Sequence, residues 1–251
     1  MSSKGYRRFK SRLDYFRTDN ELAEILVFNK ELLKGEGTIF KQVDSHKHPL
    51  LSKRTNNANS RKLVVTHLRK TVYVAFIKDM YEEVAEYIRY ILQEGAMNGA
   101  NTDRLVGEHK VNMSANDILS KHSQKEIVQS VMAQIFRQLE NERSTLNLIS
   151  QIPKKLGFSI DEKLIDQALP FLEIRHIFVH ADGKPDHTFL EKYPAIKTDE
   201  KGKILLNSSF AEEAYKVVNA LIEAIDREME AKKYFSAAEL QGIDKESKYL
   251  R

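Results

Sequence analysis

The chain has no cysteine. That excludes a disulfide framework, a thiolate metal site and a thiol nucleophile. It suits a reducing compartment, and a cytoplasmic location is expected. The N-terminal stretch "MSSKGYRRFKSRLDYF" lacks an apolar segment, so no secretory leader is expected. Long uncharged runs are missing too. The most apolar stretch, Val64 to Leu92, carries Arg69, Lys70, Lys78, Asp79, Glu82, Glu83 and Glu86, too many charges for a bilayer span. No membrane partner is therefore expected. There is no internal repeat and no HExxH pair of metal ligands. What remains is an ordinary globular composition, 41% hydrophobic and 30% charged over 251 residues, enough for one large domain or a core with an appendage.

Charge is unevenly placed. Residues 1–70 hold 16 Lys and Arg against 7 Asp and Glu, an excess of nine cations within a net charge of only +4. A basic segment of this kind often meets phosphates, and as often it is simply a solvated face. Tyr6, Phe9, Tyr15 and Phe16 lie among those cations. They fit either a stacking surface for single-stranded RNA or, better, the core side of a packed helix.

Apolar residues recur at spacings of three and four almost throughout, so the expected fold class is all-α, a helical bundle with an additional N-terminal helical arm. The arm reads as a helix from Leu13 to Leu33, stopped at "KGEG", followed by an exposed linker over 41–62. Leu68, Val72, Phe76, Met80, Val84, Ile88 and Ile91 predict one buried stripe on a helix over about 64–93. A loop is expected over 94–122. Further helices are expected over about 123–142, 161–182 and 209–232. The pairs Ser123/Glu126, Ser159/Glu162 and Ser209/Glu212 have capping-box spacing. Pro170 should kink or restart the third of these helices, and Gly183 should stop it. The resulting division is an arm and linker (1–62), a bundle (63–233) and a charged, frayed tail (234–251).

Within the third helix lies "EIRHIFVHADG", Glu173 to Gly183. At about 100° per residue, Glu173, His176 and His180 share one sector of roughly 60°. Leu172, Ile174, Ile177 and Phe178 turn towards the core. Three readings stand side by side. Histidine near a helix C-terminus is favoured by the dipole alone, and Arg175 can simply pair with an acid. Glu173, His176 and His180 can share a zinc or iron ion, as in a metal-dependent hydrolase. Or histidine supplies proton transfer near neutral pH and Arg175 a forked cation for phosphate, which is the list for metal-free RNA cleavage. One histidine does not easily serve as both base and acid, so two copies facing each other would help.

Arg175-His176-Ile177-Phe178-Val179-His180 resembles the signature of the HEPN domain, an arginine and a polar residue followed after a few positions by histidine. "FLEIRHIFVHADGKPDHTFLEKYP" and "GKILLNSSFAEEAYKVVNALIEAID" are similar to the motif, connecting loop and closing helix of bacterial HEPN proteins of the RiboL-PSP/MAE-like kind. The likeness is strongest over about 161–230 and leaves out 1–60. It implies a four-helix bundle that forms a homodimer around a shared cleft. It also implies a metal-independent endoribonuclease of the toxin or phage-defence type that needs no cofactor. RNA would be the substrate, and an antitoxin or regulatory protein a possible partner. Arg175 would contact the scissile phosphate, His180 would be the acid/base residue and His176 would shape the site. Glu173, outside the signature, is expected to support His180. Some members of the family are non-catalytic interaction or RNA-binding modules, which is the alternative reading.

Overall fold

Ser3 starts the first helix. Its hydroxyl accepts from the Tyr6 amide at 3.0 Å, capping α1 (Lys4–Phe28). The structure, a computed structural model, describes residues 1–29, 39–54, 57–141 and 145–241. Five more long helices follow: α2 (Ala58–Met97), α3 (Gln124–Asn141), α4 (Thr145–Leu156), α5 (Glu162–His180) and α6 (Ser208–Ala231). Among the described residues there is no strand, only an isolated antiparallel bridge between Thr198 and Ile204. The fold is all-α. No described helix is long and apolar enough to cross a membrane.

The 40 residues of α2 make it the axis of the fold. It touches each of the other five long helices. Phe76, Met80, Val84, Ile88 and Ile91 are buried along it, as their spacing predicts. Leu68 departs from the stripe and is 43% exposed. It lies near the start of α2, where Leu63 is exposed as well.

The arm is not an appendage. α1 starts at Lys4 rather than Leu13, and Tyr6, Phe9 and Leu13 are buried against α2 and α6. The aromatics therefore serve the core, with Tyr15 left exposed. Part of the basic excess is met by acids of the bundle: Arg12 pairs with Glu83 at 2.5 Å and Arg17 with Glu212 at 2.9 Å, while Arg69 pairs within the segment, with Glu24 at 3.5 Å. Leu13→Ala is expected to cost about 2–5 kcal/mol, as for a fully buried leucine. The loss should appear as one shifted urea transition. An unchanged midpoint would mean that α1 does not belong to the cooperative unit.

Several expectations over loops are corrected. The linker over 41–62 contains a short helix, Pro49–Ser52, and the first residues of α2. The loop over 94–122 holds the end of α2 and two short helices, Thr102–Val106 and Ala115–Leu119, each capped by a side chain, Asn101 and Ser114. α4 was not anticipated; Pro153 lies inside it. Within the described part of the tail a short helix spans Ala237–Gln241. Phe235 is buried and the Tyr90 hydroxyl donates to Glu239 at 2.7 Å. Residues 242–251 and the "KGEG" stop lie outside the described residues.

Two of the capping pairs also fall differently. α5 is capped by Asp161, whose side chain accepts from Lys163, while the Ser159 amide donates to Glu228. α6 is capped by Asn207, not Ser209. Ser123 does accept from the Glu126 amide, at 3.3 Å, but the Glu126 carboxylate accepts from His122. In each case a second short polar side chain stood within reach of the same orphan amides.

Candidate functional site

α5 runs unbroken through Pro170 to His180. It does not restart there, because its apolar face is held on both sides. Leu169, Leu172, Ile174 and Ile177 are buried, and Phe171 meets Phe210 of α6 edge to face at 5.2 Å. The helix stops as the sequence predicts. Ile177 O accepts from the amides of Ala181 and Gly183, and Gly183 has φ 77°. A Cβ there would lie 2.8 Å from the Phe178 ring. Gly183→Ala should therefore cost about 1–2 kcal/mol by thermal melting. A neutral result would show that the turn relaxes without cost.

That turn folds the following segment back over α5. The short helix His187–Lys192, capped by Asp186, brings Phe189 towards the motif. Between them opens a cleft of about 720 Å³. Glu173, Arg175, His176 and His180 all line it, so the structure brings the four sequence-selected side chains together. The rings of His176 and His180 lie side by side, 4.4 Å between centres, and both residues are exposed.

Two of the four are already engaged. Arg175 donates to Glu82 at 2.9 Å and lies over the Tyr81 ring at 4.9 Å. Glu173, expected to support His180, accepts from Lys192 of the folded-back helix at 3.0 and 3.1 Å. Lys192 is held above its ordinary value: burial opposes the charge, but hydrogen bonds and the Glu173 charge outweigh it. Burial pushes the nearby Tyr193 phenol up to about 12. Among the described residues no three His, Asp or Glu side chains form a group suited to a metal ion.

The cleft also contains residues that sequence reading missed. Tyr81 reaches it from α2, Glu140 from the end of α3 and Thr145 from the start of α4. Burial pushes the Tyr81 phenol up, against the pull of Arg175. The Glu140 carboxyl is also raised, first by burial and then by Glu82, although Arg89 and Arg175 oppose this. A carboxyl shifted in this direction and lining the same cleft as Arg175 is a candidate proton carrier. Nothing in the local pattern of α3 marks it, since it depends on which helices meet. Lys184, just beyond the stop, adds a cation.

No protein-family model, no curated protein and no solved structure matches the chain.

Proposed function

We propose that the chain is a metal-independent endoribonuclease of the HEPN type. The observation that carries this reading is that Arg175, His176 and His180 share one open cleft. A ribose 2′-oxygen would attack the adjacent phosphorus as the 5′-oxygen leaves, giving a 2′,3′-cyclic phosphate and a free 5′-hydroxyl. One imidazole takes the 2′-proton and a second acid returns a proton to the leaving oxygen. Arg175 and Lys184 offset the charge on the phosphoryl oxygens. The adjacent imidazoles, with the raised Glu140 carboxyl, offer both proton roles within one chain. A homodimer with a shared cleft, and a toxin or defence role with a protein antagonist, extend this reading through the resemblance alone.

A second reading, a non-catalytic RNA- or protein-binding module, is favoured by one observation. Arg175 is tied to Glu82 and Tyr81, as an arginine with a purely structural task would be.

The deciding experiment incubates a mixed RNA pool with the protein in excess EDTA and analyses the product ends. Cutting by wild type that leaves cyclic phosphates, and is absent in Arg175→Ala and His180→Ala, is the expected result. No cutting, or equal cutting by all three, would hand the cleft to the binding reading.

A further inference from the structure

A second cavity lies between the C-terminal half of α1, the start of α6 and Tyr73 of α2. Its volume is about 430 Å³, within the range of small-ligand pockets. Asn20, Glu24, Tyr73, Ser208, Ile25 and Phe28 are among its walls. Asn20 is only 6% exposed, yet neither its amide nitrogen nor its carbonyl oxygen has a hydrogen-bond partner. A buried carboxamide left wholly unpaired is costly, and such groups are rare in folded proteins. No residue of the cleavage cleft contributes to this cavity.

The surroundings of Asn20 narrow what it can bind. A carboxamide presents one donor and one acceptor in a single plane. Its complement is a flat edge with an acceptor beside a donor, as on a nucleobase. The rest of the polar wall is rich in acceptors. The Glu24 carboxylate already accepts from the Tyr73 hydroxyl at 2.5 Å, and the Ser208 hydroxyl lies nearby. Such a wall favours a ligand with further N–H groups. The mouth is apolar: Ile25 is 57% exposed and Phe28 70% exposed; the Arg69 guanidinium lies 5.7 Å from the centre of the Phe28 ring, and the ring area left exposed can take a flat heterocycle. The charges of the guanidinium groups here are matched to carboxylates, Arg17 to Glu212 and Arg69 to Glu24, and Glu21 adds a further negative charge; the buried Arg17 Nε–H is a further unpaired donor in this wall, able to serve an acceptor on the ligand. A phosphate-led ligand is disfavoured by that balance.

We infer that this cavity is a binding site for an amino-bearing nucleobase or nucleoside, read by the Asn20 carboxamide and stacked at Phe28. Binding there needs neither Arg175 nor His180, so it stands apart from the cleavage reading. The test is equilibrium dialysis of the full chain against adenosine, cytidine, guanosine and uridine, up to millimolar concentration. At least one of the three amino-bearing nucleosides should bind, at least about tenfold tighter than uridine: uracil can meet the carboxamide with its N3–H and O4, but it has no amino group to give the acceptors of the wall, a loss on the scale of one hydrogen bond to a charged group. Asn20→Leu should weaken binding about tenfold or more without lowering the melting temperature, because it removes two unpaired polar atoms. Phe28→Ala, at an exposed position that the fold does not need, should weaken it at least about fivefold through lost stacking. The inference is overturned if none of the four nucleosides binds, if uridine binds as well as the others, or if binding survives in both variants.

Discussion

His180→Ala should lower the rate of RNA cleavage by about 10²–10⁴-fold, the contribution of a positioned proton carrier. The histidine is exposed on the rim of the cleft, and the α5 stop beside it is built from backbone and Gly183, so its loss should leave the melting temperature unchanged. Arg175→Ala should cost about 10²–10³-fold, as for one lost transition-state donor. Arg175→Lys should recover only part of that, because an ammonium group lacks the fork that spans two phosphoryl oxygens. His176→Ala should have a smaller effect than His180→Ala if His176 shapes the site. An equal effect would make the two imidazoles the base and the acid. Glu82→Ala separates the roles of Arg175. If the arginine only braces α5 against α2, breaking its ion pair should reproduce Arg175→Ala. If it serves phosphate, cleavage should persist in Glu82→Ala and fail in Arg175→Ala.

Asp226→Ala should destabilise the fold by about 3 kcal/mol or more, since it leaves three buried donors without an acceptor. The Asp226 carboxylate accepts from the Ser3 amide at 2.9 Å, from the Tyr87 hydroxyl at 2.8 Å and from the Ser3 hydroxyl. All three residues are buried. The same Ser3 hydroxyl caps α1, so one carboxylate ties α1, α2 and α6 together. Urea unfolding should show the loss as a lower midpoint with an unchanged slope. A loss under 1 kcal/mol would mean that water enters and replaces the carboxylate.

The same residue predicts a dependence on pH. Burial pushes the Asp226 carboxyl up, against the pull of the Ser3 and Tyr87 hydrogen bonds, with the Glu230 charge also raising it. An unfolded aspartate titrates near about pH 3.9. Above that value the native state retains a proton that the unfolded chain has released. Stability from this group is therefore full below the unfolded value and declines as pH rises through the folded one. Asp226→Asn removes the titration. The stability of wild type relative to Asp226→Asn should rise on acidification from neutral pH. A difference independent of pH would contradict the raised value.

The features legible in the sequence were those fixed within one helix. The spacing of Glu173, His176 and His180 placed them on one face, and the cleft receives them together with Arg175. Asp182-Gly183 ended α5 because a left-handed residue was needed there, and glycine supplies it. Features set by contacts between helices were not legible. Glu140 and Tyr81 enter the site from helices distant in sequence. Lys192, which bonds Glu173, arrives on a folded-back segment. Leu68 kept the helical spacing yet stayed exposed, because periodicity says which residues share a face and not whether a neighbour covers it. Pro170 failed to break α5 because packing on both sides offsets the missing amide bond.

The bond between Ser3 and Asp226 also bears on how the chain is completed during synthesis. Its partners are separated by 223 positions. At about 5–20 residues per second, the ribosome needs roughly 10–45 s to deliver the second after the first. Over that interval α1 and α2 can pair, yet the Ser3 and Tyr87 donors must still face water. The last long helix to emerge brings the charge that closes them off. A nascent chain cut short before residue 226 should therefore hold its first two helices loosely and be open to proteases, and acquire resistance when α6 arrives.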